Sequence, residues 1–592
     1  MWLPKLNMPA QSRQMMDTFG GYNHNLRIGD GEFYDMKNLT SDFYPLLAPR
    51  EKRGIYTQAS GCTGMVAKDA LCYTRGKFFV INGKEIDLGL TDERKQLISM
   101  GAFVVILPDK KYINTADLSD YGSLENAVTT QAAATFTLCK EDGKVYTPKY
   151  TQAGEPEAPE NMDIWLDTGS TPVSLKQWSE SSGMWVTITS TYIRIDCPGI
   201  GAGFSQYDGV EISGLKGAEL KDENGNVIHS AELEELDGSF VLWGQGNDYI
   251  VVVGLLSGTR TVTNPITVQR KMPKLDYVTE CGNRLWGCYY GLNEDGTQVV
   301  NELYCSKLGD FKNWYCYMGI STDSWAASVG SDGQWTGAAT VQGYPFFFKE
   351  NVLHQIYPSD SGAHQVREMA VPGVEAGSHQ SLAIVGTTLY YKSSRGICSF
   401  GGATPNVVSQ QLGNVRYRNG RAGALGSKYY ICMDDDAGKP YVFVLDTEKG
   451  LWHREDSTDM AFFCHCRGNL YFLDSGDGCI KTVTDNGDPE PAPVESMAQS
   501  GLIGLSLPDA KYISRLVLRL SLPIGSTMSG YARYDSEGPW EHLFTLDGCG
   551  TKSFLMPIRV VRCDHMELRL EGVGPYTLYS ITKTIEQGSD IP

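Results

Sequence analysis

A short phrase recurs along the chain, in which a glycine is followed within two or three residues by an apolar or aromatic run typical of a β-strand. Its copies begin at Gly76, Gly101, Gly282, Gly343, Gly386, Gly426 and Gly468. The last four copies are 40 to 43 residues apart. A period of about 40 to 50 residues that carries several strands is typical of β-propeller blades, which bury their faces only against neighbouring blades. The repeat therefore predicts an all-β protein built around a propeller.

Two intervals in this repeat differ from the usual period: a long one indicates an insert, and a short one leaves the number of blades open. Gly101 and Gly282 are 181 residues apart, which predicts an inserted β-domain at residues 125–270. This domain contains a Pro/Glu-rich run, residues 147–160, and strand-like runs such as 185–190. Gly76 and Gly101 are only 25 residues apart. The number of blades is therefore predicted only as six to eight.

A second Pro-rich segment, residues 485–493, separates the propeller repeat from the C-terminal part of the chain. Alternating apolar and polar runs follow at 516–521 and 566–570, which is the pattern of half-buried strands. We expect a β-sandwich here, or the blade that closes the ring. The predicted domains are residues 1–124 (an N-terminal segment and the first blades), 125–270 (the inserted β-domain), 271–484 (the remaining blades) and 496–592 (the C-terminal β-domain).

Local turn chemistry supports hairpins inside each period. Gly-containing turns lie between β-rich runs at 293–296, 434–438, 447–450 and 475–478, and glycine supplies the positive φ that hairpin turns need.

The best candidate for a helix is the segment from Thr91 to Met100. Its capping box is incomplete, because Arg94 stands where Glu or Gln is needed.

Charge and composition exclude several classes of protein. The formal net charge is −19 and only 20% of residues are charged, whereas proteins that grip nucleic acid use dense Lys and Arg. The longest apolar run, Tyr249 to Leu256, is strand-sized, so we expect no membrane anchor. The first residues lack the pattern of a secretory signal. Fifteen scattered cysteines fit synthesis in a reducing cytoplasm better than a disulfide scaffold.

Metal and cofactor sites are not predicted. Cys464 and Cys466 would share one face of a strand while His465 points the other way, so the three side chains would not converge on zinc. The acidic run 434–436 lacks the alternate spacing of a calcium loop and is expected to be a solvated hairpin tip. The glycines of 199–203 lack the residues of a phosphate-binding loop, which favours a turn or bulge.

Catalytic patterns are equally weak. Glycoside hydrolysis needs two carboxylates, and a pair such as Asp323 and Glu350 remains open. The string 331–335 has the wrong spacing for the box repeated in propeller sialidases and occurs once. The inserted domain holds four tryptophans that could stack on sugars or pack in a core: Trp165, Trp178, Trp185 and Trp243. No catalytic, cofactor-binding or metal-binding residue is therefore predicted.

Three groups of residues resemble a known class of proteins. The N-terminal strings Phe19–Gly21, Gly29–Leu39 and Pro49–Gly54 resemble the opening of bacteriophage propeller-type virion proteins. The segment Glu302–Trp314 is similar to a blade segment of the same proteins, and Ser394–Gly402 is similar to one of their strands. The families concerned are the tail nozzle, also called tail tubular protein B, and the packaged-DNA-stabilisation or hub proteins of short-tailed phages.

This resemblance implies a non-enzymatic protein of the virion. It implies a homo-oligomeric ring, a homohexamer, in the tail or neck at the head–tail connection, assembled in the host cytoplasm. Portal and adaptor proteins and tail fibre or tip proteins would be its partners. Double-stranded DNA would pass through the lumen during ejection without specific binding, which suits an acidic wall because negative surfaces repel phosphates.

Two other functions stay open from the residues alone. The tryptophans of the insert could serve a receptor-binding or carbohydrate-binding virion protein. Abundant carboxylates leave room for a propeller glycosidase or depolymerase. Binding of sugars by the chain would favour the first alternative, and turnover of a polysaccharide would favour the second.

Overall fold

The computed structural model describes residues 11–218, 220–221, 227–228, 231–293, 295–507 and 510–587. Within these ranges the chain is almost entirely β-structure, and its one α-helix, α1 (Ala231–Glu234), has a single turn. Two 3-10 turns occur at His379–Ser381 and Gln410–Leu412. The prediction of an all-β fold is confirmed. Among the described residues, no helix has the length and apolarity that crossing a membrane requires.

Six short strands precede the propeller. They are β1 (Gln11–Met16), β2 (Gly21–Tyr22), β3 (Glu32–Lys37), β4 (Leu39–Thr40), β5 (Ala48–Pro49) and β6 (Gly54–Gln58). Strand β1 pairs with β56 and β3 with β49, both in the C-terminal part of the chain, while β2 pairs with β3 and β6 pairs with the last propeller sheet. The N-terminal segment therefore connects parts of the molecule that are more than 400 residues away in sequence.

The first two propeller sheets are four-stranded antiparallel meanders. They contain β7 (Cys62–Lys68), β8 (Ala70–Arg75), β9 (Phe78–Ile81) and β10 (Lys84–Asp87), then β11 (Gln96–Met100), β12 (Phe103–Leu107), β13 (Lys111–Asn114) and β14 (Tyr121–Ser123). The expectation of a helix at 91–100 is wrong. Residues 96–100 form β11, where Ile98 lies opposite Val105 of the apolar strand β12, so tertiary pairing overrides the local preference.

The insert leaves the propeller after β14. Its strands are β15 (Asn126–Thr129), β16 (Ala134–Cys139), β17 (Tyr150–Gln152), β18 (Ile164–Asp167), β19 (Ser174–Ser179), β20 (Met184–Thr187), β21 (Tyr192–Asp196), β22 (Gly209–Ser213), β23 (Leu220–Lys221), β24 (Val227–Ile228), β25 (Gly238–Val241), β26 (Gly244–Gly246), β27 (Tyr249–Val253), β28 (Arg260–Val262) and β29 (Thr267–Arg270). They form sheets of seven, four and four strands. The seven-stranded sheet and the four-stranded sheet β15-β29-β22-β25 share a core that includes Phe136, Ile212 and Val268.

Five further propeller sheets follow the insert. Their strands are β30 (Tyr277–Glu280), β31 (Leu285–Leu292), β32 (Val299–Cys305), β33 (Trp325–Ser328), β34 (Gly337–Val341), β35 (Tyr344–Phe348), β36 (Leu353–Tyr357), β37 (Gln365–Met369), β38 (Ala383–Val385), β39 (Thr388–Ser393), β40 (Gly396–Phe400), β41 (Asn406–Val407), β42 (Arg418–Leu425), β43 (Lys428–Asp434), β44 (Pro440–Asp446), β45 (Leu451–Arg454), β46 (Met460–Cys466), β47 (Asn469–Asp474) and β48 (Cys479–Thr482). The seventh sheet has only three strands of its own, and β6 supplies the fourth by pairing with β48.

Separate buried clusters join each propeller sheet to the next one. Cys72 of the first sheet packs with Val104 of the second, and Trp286 of the third packs with Phe347 of the fourth. The last cluster joins Ile480 of the seventh sheet to the first. The seven sheets therefore form a closed ring in which each sheet hides its faces against its neighbours.

One copy of the glycine phrase is out of phase with the others. Gly101, Gly282, Gly343 and the later copies lie between the first and second strands of their sheets, whereas Gly76 lies between β8 and β9. The equivalent turn of the first sheet is at Asp69, which has a φ of 55°. The short interval between Gly76 and Gly101 therefore reflects a second hairpin of the same sheet and does not mark an extra blade.

The C-terminal strands form a β-sandwich with the N-terminal ones. They are β49 (Glu495–Ser500), β50 (Lys511–Leu522), β51 (Thr527–Tyr534), β52 (Glu541–Asp547), β53 (Gly550–Leu555), β54 (Arg562–Cys563), β55 (Met566–Val573) and β56 (Thr577–Gln587). One sheet has the order β1-β56-β50-β53, with β54 also on β50, and the other has the order β2-β3-β49-β55-β51-β52. The described part of residues 496–592 is thus a sandwich, and the alternative of a closing blade is wrong.

A buried side chain of the third propeller sheet, Asn313, contacts the insert. Asn313, which is fully buried, accepts a hydrogen bond from the backbone N–H of Gly209 at 3.0 Å and donates one to the carbonyl of Tyr207 at 2.7 Å. A Cβ atom on Gly209 would lie 2.2 Å from the carbonyl oxygen of Tyr315. The contact therefore needs both the asparagine amide and the absence of a side chain at position 209.

We expect Gly209→Ala to lower the melting temperature, because the added methyl group forces the insert away from the propeller. Gly238→Ala is the matched control, since Gly238 lies in the same sheet and a Cβ atom there meets nothing within 4 Å. Thermal unfolding followed by circular dichroism measures both melting temperatures, and equal effects at positions 209 and 238 would contradict the expectation.

We expect Asn313→Ala to lower the free energy of unfolding by about 1–3 kcal/mol, because it leaves buried backbone groups unpaired. Unfolding of this variant beside the wild type measures the change.

Candidate functional site

The segment from Phe19 to Gly54, here called the N-terminal clamp, runs between the sandwich and the propeller. Its apolar side chains Phe19, Tyr22, Phe33, Met36 and Leu39 are all buried in one core. That core also contains propeller residues of the fifth and sixth sheets and the inner face of the sandwich, for example Ile397, Phe443, Trp452, Leu518 and Leu570. The clamp therefore joins the two domains through a continuous apolar interior, which is the dominant stabilising term in such contacts.

Two glycines of the clamp allow its backbone to approach its neighbours closely. Gly21 has a φ of 79°, and a Cβ atom there would lie 2.5 Å from the carbonyl oxygen of Trp452. Gly31 has a φ of 90°, and its Cβ would lie 2.3 Å from the carbonyl oxygen of Thr18. Both conditions exclude any other residue. These glycines explain two positions of the N-terminal strings that carry the family resemblance.

The end of the clamp carries a buried cluster of charges. Arg53, with its side chain 2% exposed, lies 2.8 Å from Glu455 and 2.9 Å from Asp456. Arg50 lies 3.5 Å from Glu455 and 3.2 Å from Asp456. The two arginines come directly before β6 and the two carboxylates directly after β45. The cluster therefore holds the closing strand of the ring against the sixth sheet.

The electrostatics of this cluster follow from burial opposed by opposite charge. Burial alone would raise the pKa of Asp456, but Arg53 and Arg50 outweigh it and hold the pKa of that carboxyl well below its ordinary value. Burial alone would lower the pKa of Arg53, but Asp456 and Glu455 raise it. The lowered pKa of Asp456 and the raised pKa of Arg53 keep this pair charged at neutral pH. The arrangement holds strands together and offers no free acid, base or nucleophile.

The other two segments that carry the resemblance are also structural joints. Glu302–Trp314 contains Asn313, which docks the insert, and Trp314, which is buried between the second and third sheets. In Ser394–Gly402, Gly396 has a φ of 126° and a Cβ there would lie 2.4 Å from Oγ of Ser409. All three segments therefore serve contacts between parts of the chain.

The axis of the propeller is crossed by side chains. Arg94, from the loop before the second sheet, donates a hydrogen bond to Oε1 of Gln380, from the turn before the fifth sheet. Its guanidinium also lies 5.0 Å from the ring centroid of Phe462 in the seventh sheet. Side chains from opposite sides of the ring thus meet directly. A DNA duplex has no path along this axis.

Residues 464–466 and the acidic run 434–436 have the arrangement predicted from the sequence. Cys464 and Cys466 are buried while His465 is exposed, and burial raises the pKa of the Cys464 thiol to about 12. At the β43–β44 turn, Oδ1 of Asp435 accepts backbone N–H bonds from Ala437 and Lys439, both at 2.9 Å. These residues are a pair of core thiols and a hairpin tip. Within the described ranges, no group of three His, Cys, Asp or Glu side chains could hold a metal ion.

The candidate glycosidase carboxylates serve different loops. Oδ2 of Asp323 accepts three backbone N–H bonds, from Met318, Gly319 and Ile320, at 2.6 to 3.2 Å. Oε1 of Glu350 accepts one from Ala376 at 3.2 Å. Both carboxylates thus organise loop backbone. The string 331–335 ends in Trp335, which is buried in the core between the third and fourth sheets.

The tryptophans of the insert pack on one another. The ring of Trp185 lies 5.4 Å from Trp165 and 5.5 Å from Trp178, at interplanar angles of 66° and 64°. Trp243 packs instead on Tyr192 and Tyr207. The contacts are edge to face, so the three neighbouring tryptophans form a small aromatic cluster and not a flat row. The glycines of 199–203 lie in the turn between β21 and β22.

Sequence reasoning missed the charge cluster and the closing strand. Arg50 and Arg53 are about 400 residues from their partners, and one sequence gives no sign of such a pairing. The available signal was local: two arginines three residues apart in an acidic chain, and the adjacent carboxylates Glu455 and Asp456 at the end of a strand.

Comparisons with known proteins give only distant structural similarity. No family model and no curated protein matches the chain. An exo-β-1,3-galactanase from Phanerochaete chrysosporium is 10% identical, with a TM-score of 0.20, over 64% of this chain and 100% of that one. The extracellular domain of a putative one-component system from B. thetaiotaomicron is 8% identical, with a TM-score of 0.21, over 92% and 98%. An acylaminoacyl peptidase from Pyrococcus horikoshii is 9% identical, with a TM-score of 0.24, over 57% and 56%. Nothing about the chemistry of this chain follows from matches at this level.

We expect Arg53→Met to destabilise the protein by about 3–5 kcal/mol, because it leaves two carboxylates in a buried site with one cation fewer. Lys37→Met is the control, since the Lys37–Glu495 pair is exposed and such pairs contribute about 0–1 kcal/mol. Chemical unfolding of both variants measures the two effects. Equal effects would show that the cluster does not stabilise the closing strand.

The gap in melting temperature between wild type and Arg53→Met should narrow as the pH is lowered from 7 to 4. In the wild type the folded pKa of Asp456 lies below its unfolded value of about 3.9, so its contribution to stability is kept above pH 4 and lost only below it. In the variant the largest influence that lowers the pKa of Asp456 is removed, so the pKa of this carboxyl rises and its protonation relieves the penalty as acid is added. Thermal unfolding at pH 7, 5.5 and 4 measures the gap, and a constant gap would contradict the assignment.

Proposed function

We propose that this chain is a non-enzymatic structural subunit of a bacteriophage virion, which assembles with copies of itself into a ring of the tail nozzle, hub or neck. The ring would seal packaged DNA and surround its exit path. One observation carries the proposal: the three segments that resemble phage propeller proteins all lie at contacts between parts of the chain, with Arg53 at the end of the clamp, Asn313 against the insert and Ile397 in the core shared with the clamp. Segments that make contacts between parts of the chain fit a protein whose role is mechanical.

The pairing of the first and last described strands supports a load-bearing role. Strand β1 pairs with β56, and β6 closes the propeller. Within the described residues, strands from both the N-terminal and the C-terminal parts of the chain therefore join the two domains. A force applied to one domain is therefore passed to the other through a packed interior and buried ion pairs.

The occupied propeller axis bears on the proposed path of DNA. Because Arg94 and Gln380 meet across this axis, the proposed conduit would lie between copies of the chain and not within one. Six copies, the number that the resemblance implies, would carry six times the charge of −19. An acidic lumen repels phosphates and lets a duplex slide without being held.

The remaining partners follow from the same proposal. Portal and adaptor proteins would lie on one side of the ring, and a tail fibre or tip protein would contact the insert. Assembly would take place in the host cytoplasm, where the fifteen cysteines, all free in the structure, stay reduced.

We expect the purified full chain to form a closed ring, alone or on addition of portal–adaptor complexes. This chain's contribution to the mass of the assembly would be a whole multiple of 65.2 kDa. Native mass spectrometry measures that multiple directly. A strictly monomeric chain under both conditions would contradict the proposal. So would turnover of a host polysaccharide that a single Asp or Glu substitution abolishes, or specific binding on a glycan array, since these belong to the two alternative functions.

A further inference from the structure

The sheet β1-β56-β50-β53 has an outer face that nothing in the described chain covers. Its residues are fixed by the strand register: Arg13 and Arg515 both lie opposite Thr584, and Met15 and Val517 both lie opposite Thr582. Leu555 continues the second of these rows, opposite Val517, and Arg519 lies one row further along, opposite Ser580. We call this set of six residues the arginine face: Arg13, Met15, Arg515, Val517, Arg519 and Leu555.

The two sides of this sheet differ in composition. The inner side contributes Leu516, Leu518, Leu520 and Ile581 to the core, as expected of a sandwich. On the outer side Met15 is 62% exposed and Leu555 is 53% exposed. Met15 and Leu555 thus lie in solvent at the two ends of a row whose middle members are Thr582 and the half-buried Val517, with arginines on both sides of the row. Exposed apolar residues grouped in this way, flanked by polar ones, mark interaction surfaces.

The arginines of this face are free to bind a partner. Arg13, Arg515 and Arg519 are exposed, and among the described residues none of their guanidinium groups has an ion pair or hydrogen bond. Two carboxylates lie at the edges of the face: Glu586, which accepts a hydrogen bond from Gln11 at 2.6 Å, and Asp17, which is exposed and directly follows β1. By contrast, the lysine of the inner side, Lys583, is buried and paired with Asp30 at 2.6 Å. The face therefore carries an unbalanced positive charge in a protein whose net charge is −19.

We propose that the arginine face is a subunit contact, which binds an acidic surface of a second copy of this chain. Charge complementarity identifies the occupant, since the chain has 70 Asp and Glu against 51 Lys and Arg and any copy offers carboxylates. A symmetric contact of the face with itself would place arginines against arginines, which costs free energy. The contact is therefore head-to-tail, and contacts of this kind build rings.

The composition of the face favours a protein partner over DNA. An apolar centre with arginines around it is the usual make-up of a protein interface, where Arg and Met are enriched. DNA contacts rely on dense Lys and Arg that neutralise phosphates, and the middle row of this face offers Met15, Val517 and Leu555 instead.

This inference rests on the proposed ring, and the experiment separates the two. The test variant is the triple substitution Arg13→Glu, Arg515→Glu and Arg519→Glu in the full chain. The matched control is Lys84→Glu, Lys140→Glu and Lys274→Glu, which makes the same change in charge at exposed positions outside the sandwich. Circular dichroism and melting temperature establish that both variants fold, and native mass spectrometry with light scattering measures their assembly.

We expect the arginine variant to need a protein concentration about tenfold or more higher to assemble, with an unchanged melting temperature, while the lysine control assembles like wild type. If the wild type forms rings and the arginine variant forms them equally well, this inference is overturned and the proposed function stands. A wild type that never assembles overturns both. Binding of duplex DNA at 150 mM salt that the arginine variant loses would assign the face to nucleic acid and also overturn the inference.

Discussion

Closure of the propeller ring is the constraint on which the rest of the structure depends. Each propeller sheet covers its faces only with its two neighbours, so a missing outer strand in the seventh sheet would expose both that sheet and the first one. The chain solves this with β6, a strand that precedes the propeller in sequence and pairs with β48. Arg50 and Arg53, directly before β6, then bind Glu455 and Asp456 at the end of the sixth sheet. Pairing and charge together fix the point where the ring would otherwise open.

The same segment also builds the second domain. Strands β1 to β3 belong to the sandwich, and the residues between β3 and β6 pack in a core shared by both domains. The propeller and the sandwich therefore cannot separate without exposing that core. Such a body suits a protein that transmits load. The insert has a core of its own and meets the propeller at contacts that include Asn313 and the backbone of Gly209.

Much of the fold could be predicted from the sequence because propeller hairpins are local. The glycine phrase marks the first turn of six of the seven sheets, since those turns require positive φ at Gly101, Gly343 or Gly468. The first sheet uses Asp69 there, so the phrase at Gly76 falls on another turn and leaves the blade count open. The closing strand and the charge cluster could not be predicted, because pairing of Arg53 with Glu455 depends on ring geometry and not on neighbours in sequence. The segment 91–100 misleads for a related reason: its strand exists only because β12 lies beside it.

The functional residues could also be predicted only in part from the sequence. Strand alternation predicts that Cys464 and Cys466 share a buried face, and turn chemistry predicts that the acidic run 434–436 is a hairpin tip. The arginine face could not be predicted, because it forms only when β1 and β50 lie on either side of β56. A cryo-electron microscopy reconstruction of the assembled full chain tests the account most directly. The account predicts a closed ring whose central opening lies between copies, with the outer face of the β1-β56-β50-β53 sheet against a neighbouring subunit. Separate copies, or a passage that runs through the propeller axis past Arg94, would contradict it.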